Sequence, residues 1–362
     1  MADLFEPLTV GSLTLPNRIV MAPLTRGRAG REGIPNALMA EYYAQRAAAG
    51  LLISEATGIS REGLGWPNAP GLWTPAQVDG WKIVTDAVHA AGGRIIAQLW
   101  HMGRLVHSDL GGGQPVSASA TTAPHKAHTY EGKKPYEEAR AATLDDIARI
   151  TDDYAGAARN AIAGGFDGVQ LHAANGYLVD QFLRDGTNLR TDDYGGSVEN
   201  RTRLLREATE AIIAEVGRER THVRLSPNGE SQGCDDGDPE ALFTHAGQVL
   251  SELGIASLEL REPGPQSTFA ATDVEPVSHL IRPLFKGALF LNSDYVHDSA
   301  RERLAEGVAD GISFGRPFIA NPDLVSRLAR NAPLQVPNVA TFYSSGPEGY
   351  TDYPTLPEQQ AA

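Results

Sequence analysis

The sequence predicts an α/β fold: a single (β/α)8 TIM barrel that spans residues 1–362 as one domain. Two observations carry this prediction. Short apolar runs alternate eight times with longer segments of helical periodicity, and no linker-like change of composition divides the chain. Alternating units of this kind build parallel sheets, and eight of them close into a barrel. A doubly wound fold in two domains is the alternative, and it would need the linker.

Eight segments are predicted to form the barrel strands. Each is short, rich in apolar or β-branched residues, and bounded by glycine, proline or polar turn residues. In chain order they cover residues 18–22, 51–54, 94–99, 168–171, 221–225, 256–260, 288–291 and 311–314.

The segments between the strands carry helical periodicity. Thr143 and Asp146 have the spacing of a capping box, and the helix that they open ends at Gly164-Gly165. The other predicted helices cover residues 36–49, 75–91, 198–216, 239–253, 277–284 and 299–306.

Three segments are predicted to be additions to the barrel, because a bare barrel needs only about 250 residues. Residues 8–15 alternate around a Gly-Ser turn and are predicted to form a β-hairpin that closes the barrel floor. Residues 102–142, polar and rich in Gly, Ser, Thr and His, are predicted to form a lid insertion after the third strand. Residues 331–362 lack periodicity and are predicted to wrap around the outside.

Composition excludes several classes of partner. The chain has 31 basic and 45 acidic side chains and a net charge of −14, which disfavours nucleic acid and anionic membrane surfaces. No apolar run is long enough to span a bilayer, and the N-terminus lacks the features of a signal peptide. The single cysteine, Cys234, cannot form an intramolecular disulfide. We therefore expect a cytoplasmic protein that binds neither nucleic acid nor membrane.

Polar residues after the fourth predicted strand mark a candidate catalytic group, because barrel active sites lie at the carboxyl ends of the strands. His172 and Asn175 are three residues apart, so one helical turn would place both on one face. Two adjacent donors can hold a carbonyl or nitro oxygen, as an oxyanion hole does. Tyr177 offers a neutral acid in reach of the same ligand. A packing histidine is the alternative for His172.

Gln98 and Arg224 lie at the ends of the third and fifth predicted strands. A buried arginine needs an anionic ligand or a carboxylate neighbour. The carboxylate alternative would be a salt bridge to Glu259 or Glu55, and the residues favour neither interpretation.

The loops after strands seven and eight are the usual phosphate site of a TIM barrel. Asn292 and Ser293 follow strand seven, and Gly315 and Arg316 follow strand eight. Asp294 is expected to cap the next helix. No GxGxxG motif follows a strand, so a mononucleotide cofactor is favoured over a dinucleotide bound to a Rossmann fold.

Aromatic and histidine residues leave two further possibilities open. Trp66, Trp100 and Tyr343 could line an apolar pocket, although aromatic residues more often belong to the core. A zinc-dependent barrel hydrolase is the alternative from another enzyme class, but the ten histidines show no metal-binding spacing. We therefore expect no metal. A non-catalytic binding barrel is the second alternative.

Several motifs in order resemble the old yellow enzyme family of FMN-dependent ene-reductases. They are LFEPL at residues 4–8, PNRIVMAPLTR at 16–26, HAANGYL at 172–178, DYGGS at 193–197, FGRP at 314–317 and GYTDYP at 349–354. The branch that reduces N-ethylmaleimide and nitrate esters looks similar. The sequence LNSD at 291–294 departs from the glycine-rich phosphate loop of many relatives.

The resemblance implies non-covalent FMN, NADPH or NADH as reductant, and a role for each candidate residue. His172 and Asn175 would bind the substrate oxygen beside the cofactor, and Tyr177 would protonate Cα after hydride transfer from flavin N5 to Cβ. Trp66, Trp100 and Tyr343 would shape the substrate pocket. The flavin ring and ribityl chain would lie against Ala22, Pro23, Leu24, Thr25, Ala56, Gln98 and Arg224, and the phosphate against Asn292, Ser293, Gly315 and Arg316.

The resemblance also implies the substrate class. It consists of small electron-poor alkenes such as enones, maleimides and nitroalkenes, with a nitrate ester or nitroaromatic compound as the alternative. A monomer and a homodimer are both compatible with the sequence.

Overall fold

The computed structural model describes residues 2–268 and 270–357. Within these ranges the strands are β1 (Leu8–Val10), β2 (Leu13–Leu15), β3 (Ile19–Met21), β4 (Leu51–Ile53), β5 (Thr57–Gly58), β6 (Ile95–Trp100), β7 (Val116–Ser117), β8 (Lys126–Thr129), β9 (Gly132–Pro135), β10 (Arg140–Ala141), β11 (Gly168–His172), β12 (Thr221–Leu225), β13 (Ser257–Arg261), β14 (Ala288–Asn292) and β15 (Gly311–Phe314).

The helices lie mainly between the strands. They are α1 (Ala37–Ala44), α2 (Pro75–Ala90), α3 (Leu144–Ala163), α4 (Leu178–Leu183), α5 (Val198–Arg201), α6 (Arg203–Val216), α7 (Pro239–Leu253), α8 (Ser278–Ile281), α9 (His297–Ala305), α10 (Arg316–Ala320) and α11 (Leu324–Ala329). Short 3-10 turns cover Gly103–Leu105, Ser108–Leu110, Arg218–Arg220 and Val339–Thr341. No helix in the described ranges is long and apolar enough to cross a membrane.

Eight parallel strands close into a barrel, which confirms the predicted (β/α)8 fold. They pair in the order β3, β4, β6, β11, β12, β13, β14 and β15, and β15 returns to pair with β3. Alternate residues of the strands face outward and pack with the helices in one large apolar cluster. The residues between them face the barrel interior, since side chains alternate along a strand.

The lower interior of the barrel is apolar and is closed by the hairpin of β1 and β2. These strands pair antiparallel, with Leu8 opposite Leu15. Val10 and Leu15 pack with Val20 and Phe290 of the barrel strands. Burying a side chain of this size stabilises the fold by about 1.5–3 kcal/mol. The polar exceptions in this lower part are His222 and Ser257, whose side chains hydrogen-bond to each other at 2.7 Å.

The predicted helix over residues 198–216 is interrupted, and two others are shorter than predicted. The hydroxyl of Thr202 donates to the carbonyl oxygens of Val198 and Glu199 at 2.9 Å, between α5 and α6. Such back-bonding competes with regular helix geometry. Helix α1 ends at Ala44, and α8 covers only four residues.

Residues 102–142 carry their own small sheets. Strands β8 and β9 form an antiparallel hairpin, and β7 pairs with β10. His128 on β8 packs against Trp66 with ring centroids 4.5 Å apart. At the tip of the hairpin, the guanidinium of Arg31 lies over the ring of Tyr130 at 4.3 Å. The insertion therefore reaches over the mouth of the barrel.

The C-terminal segment is attached to the first βα unit by two buried arginines. Arg26 donates to the carbonyl oxygens of Phe342 at 3.0 Å and Gly349 at 2.7 Å. Arg28 donates to the carbonyl oxygens of Thr341 at 3.1 Å and of Gly346 at 3.1 Å. The segment that contains Tyr343 is thus held at the barrel mouth.

Candidate active site

An aromatic corner forms at the carboxyl ends of β6 and β11. The ring of Tyr177 lies 4.8 Å from the ring of His172 and 4.9 Å from that of Trp100, edge-on to both. The imidazole is almost completely buried, and its Nδ1 has no hydrogen-bond partner in the described chain. The structure therefore brings together three of the predicted site residues.

His172 stays uncharged in this environment. Burial lowers the pKa of His172 well below its usual value, and the nearby positive charge of Arg224 lowers it further. A neutral imidazole carries one N–H donor. It can donate that hydrogen to a ligand oxygen without adding a full charge to the site.

Asn175 is held by its loop and not by a helical turn. Helix α4 begins only at Leu178, and Asn175 has a left-handed backbone with φ of +59°. The turn expected between His172 and Asn175 is therefore absent. The backbone N–H of Asn175 donates to Ser226 Oγ at 2.7 Å, which fixes the loop against the end of β12.

The Asn175 amide is oriented by an arginine that the sequence reasoning missed. Arg261, the last residue of β13, donates from Nη1 to Asn175 Oδ1 at 3.2 Å. Arginine has donors only, so Oδ1 must face the guanidinium, and the two hydrogens of Nδ2 point elsewhere. Burial lowers the pKa of Arg261 to about 10, and Arg224 contributes in the same direction. The residue still carries its charge at neutral pH.

Tyr177 is positioned as a neutral acid. It is the N-cap residue of α4, and its carbonyl oxygen accepts from the N–H of Gln181 at 2.8 Å. Burial raises the pKa of Tyr177 well above its usual value. The phenol therefore keeps its proton at neutral pH and can supply it to a ligand atom.

A chain of buried polar side chains crosses the upper interior of the barrel. Gln98 donates to Gln170 Oε1 at 2.8 Å, and Gln170 donates to Glu259 Oε2 at 2.9 Å. Glu259 lies 3.5 Å from Arg224 Nε. Arg224 thus has the carboxylate neighbour that was one of its two sequence interpretations. Its charge also makes the upper interior suited to an anionic group.

The side chain of Asn292 is the last member of this series of buried polar contacts, and it does not point toward the loop predicted to bind phosphate. Its Oδ1 accepts from Arg224 Nη2 at 2.6 Å, and its Nδ2 donates to the carbonyl oxygen of Ser313 at 2.9 Å. Both ends of the side chain are therefore used inside the barrel.

The loop region predicted for a phosphate contains a polar cluster. Arg316 at the start of α10 donates to Thr268 Oγ1 and lies 4.0 Å from Asp294. Ser293 Oγ and Ser267 Oγ are 3.2 Å apart. Asp294 does not cap α9, whose N-cap residue is Val296, and instead accepts from the N–H of Thr268 at 2.7 Å. That expectation was wrong because the loop after β13 competes for the carboxylate.

The predicted substrate-pocket residues occupy two levels. Trp100 lies in the buried aromatic corner, whereas Trp66 and Tyr343 contact each other at the rim with centroids 4.9 Å apart. Tyr343 is 55% exposed. Trp66 and Tyr177 both pack on the apolar cluster around Trp100. The buried aromatic corner and the rim residues Trp66 and Tyr343 therefore form one continuous wall at the barrel mouth.

The remaining predicted residues line the strand ends beside this wall. Ala22, Pro23, Leu24 and Thr25 follow β3, Ala56 follows β4, and Gly315 follows β15. No group of three or more metal-binding side chains occurs in residues 2–268 and 270–357.

Comparison with known proteins matches this arrangement to one family. The model of the NADH:flavin oxidoreductase / NADH oxidase family matches residues 3–335. The solved structure of the old yellow enzyme homologue from Zymomonas mobilis is 59% identical, with a TM-score of 0.97 over 98% of this chain and all of that one. The chain belongs to the old yellow enzyme family.

Other old yellow enzyme relatives are similar over nearly the full length. A solved structure of morphinone reductase in complex with tetrahydroNAD is 44% identical, with a TM-score of 0.94 and complete coverage of both chains. A probable flavin mononucleotide-dependent alkene reductase of Leishmania infantum is 41% identical over 98% of this chain and 97% of its own. Membership of the family confirms the predicted flavin-dependent oxidoreductase with FMN and a nicotinamide reductant. It also decides against the zinc hydrolase and the non-catalytic barrel.

The residues at the mouth of the old yellow enzyme barrel fit FMN. The flavin's pyrimidine edge presents one N–H donor between two carbonyl acceptors. Gln98 on β6 and Arg224 on β12, on either side of β11, supply an acceptor and donors. The positive side chains Arg224, Arg261 and Arg316 suit the negative charge of the phosphate and of the reduced ring.

Proposed function

We propose that the protein reduces activated C=C bonds of small molecules, such as enones, maleimides and nitroalkenes, with electrons from NADPH or NADH. FMN, when bound, supplies the hydride chemistry. The observation that carries the proposal is the aromatic corner. It places the neutral donor His172 and the neutral acid Tyr177 within 4.8 Å, ring centroid to ring centroid, at the mouth of the barrel.

Two donors would hold the activating oxygen of the substrate. The imidazole N–H of His172 and the amide Nδ2 of Asn175 would donate to that oxygen and draw electron density from the double bond. Arg261 would keep the amide in the donating orientation, because its own donors occupy Oδ1. This polarisation makes Cβ electrophilic and Cα basic.

Tyr177 would complete the addition by giving its proton to Cα. Its hydroxyl makes no hydrogen bond to another described residue that would hold the proton back, and its raised pKa keeps the phenol protonated. Trp66, Trp100 and Tyr343 would exclude water and orient the substrate by their ring faces.

The remaining assignments concern the cofactor. Gln98 and Arg224 would bind the pyrimidine edge of the flavin, Thr25 would donate to its O4, and Ala22, Pro23, Leu24 and Ala56 would pack on the ring. Ser293, Gly315 and Arg316 would bind the phosphate. The side chain of Asn292 would act through Arg224, because both of its polar atoms are used inside the barrel.

The test is a steady-state panel with the FMN-loaded enzyme. Cyclohexenone, N-ethylmaleimide and glycerol trinitrate are each offered with NADPH and with NADH, and the product is identified by mass. Saturated products from the first two support the proposal. Turnover of glycerol trinitrate alone would replace it with the nitrate-ester alternative. A protein that cannot be reconstituted with FMN would refute both.

A further inference from the structure

A carboxylate lies inside the barrel at the centre of the polar chain. Glu259 is fully buried in the middle of β13, and its Oε1 has no hydrogen-bond partner in the described ranges. Removing a carboxylate from water is costly unless its partners compensate. Here the partners are Gln170 on one side and Arg224 on the other, and both lead to the candidate flavin site.

The hydrogen bonds on the first side have only one possible direction. A carboxylate accepts, so Gln170 must turn Nε2 toward Glu259 and Oε1 away from it. Gln98 must then turn Nε2 toward Gln170, which leaves Gln98 Oε1 as the outward acceptor. The charge on Glu259 thus fixes the orientation of two amides, although neither amide could be oriented from its own shape.

The second side concerns the guanidinium of Arg224. Glu259 lies 3.5 Å from Nε, and Asn292 accepts from Nη2 at 2.6 Å. Nη1 makes no such contact with a described residue. Two residues therefore fix the plane of the guanidinium and leave Nη1 to donate to a ligand.

We propose that Glu259 is the positioning residue of the flavin site, acting through Gln98 and Arg224; this rests on the proposed function. Gln98 Oε1 accepts the flavin N3–H, and Arg224 Nη1 donates to the adjacent O2. The carboxylate also offsets part of the Arg224 charge. Since the reduced flavin is negative beside N1, Glu259 lowers the preference of the site for the reduced over the oxidised ring.

The charge is tested with Glu259→Gln, which keeps the shape and can still accept from Gln170. Reduction against a reference dye should give a higher midpoint potential, by about 30 mV for a tenfold change in the ratio of the two flavin affinities. Glu259→Asp, which retains the charge, should show a smaller shift. The matched control is Glu262→Gln, because the buried Glu262 carboxylate accepts from Val277 and Ser278 N–H groups instead. A potential for Glu259→Gln equal to that of wild type would overturn the charge effect.

The relay is tested without changing Glu259. Gln170→Met breaks the amide chain and leaves the contact between Glu259 and Arg224 in place. Wild type should bind FMN more tightly than its N3-methyl analogue, which has no N3–H. In Gln170→Met the ratio of these two affinities should fall at least tenfold, while the midpoint potential stays at the wild-type value. Unchanged discrimination overturns the proposal, whatever Glu259→Gln does. Failure of the proposed function looks different, because wild type would then give no saturated product from cyclohexenone or N-ethylmaleimide, whereas the potential and the FMN affinities are measured without any alkene.

Discussion

The contact between Arg261 and Asn175 gives a prediction with a calculable size. Replacing Arg261 with Met removes both the hydrogen bond at 3.2 Å and a positive charge near the ligand oxygen. That charge lies about 8 Å from the bound oxygen if an amide width of about 2.3 Å and a hydrogen bond of about 2.9 Å are added. At an effective dielectric constant of about 20, the lost attraction for a phenolate is about 2 kcal/mol. We therefore expect roughly 30-fold weaker phenolate binding.

The assay is a titration of the FMN-loaded enzyme with a para-substituted phenol, followed by its charge-transfer absorbance at pH 8. Arg261→Lys keeps the charge and should retain most of the affinity. An uncharged ligand such as cyclohexenone should lose only a few-fold, because it carries no full charge for Arg261 to attract. Phenolate affinity of Arg261→Met within twofold of wild type would refute the reasoning.

Three further predictions concern the acid, a buried histidine and the C-terminal segment. Tyr177→Phe should slow alkene reduction by about 100- to 10,000-fold in stopped-flow measurements and leave flavin reduction by NADPH unchanged; equal effects on both half-reactions would contradict its role. Burial lowers the pKa of His222 to about 4. As the pH falls below about 6.5, the imidazole is therefore protonated in the unfolded chain while it is still neutral in the folded protein. Stability from His222 is complete above that pH and falls by up to about 3 kcal/mol toward pH 4. Urea unfolding of His222→Gln at pH 7 and 4.5 should therefore show a smaller loss than wild type, and an identical loss would contradict the assignment. Arg26→Met should destabilise the fold by about 3–5 kcal/mol and make the aromatic residues after 330, such as Phe342 and Tyr350, susceptible to chymotrypsin, unlike the exposed control Arg330→Met.

The barrel could be predicted because its signals are local. Helix α7 runs from Pro239 to Leu253 as predicted, since Asp238 caps it, Pro239 opens it and Gly254 ends it with a left-handed backbone. Strand β12 also begins and ends at the predicted residues. Each of these boundaries depends on residues within a few positions of one another.

The site could be predicted only where its residues follow strand ends or match a motif. Gln170 was missed, and Glu259 could not be distinguished from Glu55 as the partner of Arg224, because both roles depend on strand register, which places Gln170 beside Gln98 and Glu259 beside Arg224. The available signal for Gln170 was its position two residues before His172, because side chains two positions apart on a strand face the same side. Asn175 was assigned to a helical turn from its spacing to His172 alone. The pair Asn175-Gly176 was the available signal for the loop, because asparagine and glycine adopt the left-handed backbone more readily than other residues. Domain boundaries, cytoplasmic location and oligomeric state stay predictions.

The arginine contacts to the C-terminal segment set an order for the assembly of the site. Arg26 and Gly349, which share a hydrogen bond, are 323 residues apart in the chain. During synthesis the strands of the barrel leave the ribosome before Tyr343 does, so the barrel can close while one side of its mouth is missing. The rim is completed only once Thr341 to Gly349 have also emerged, after the last barrel strand.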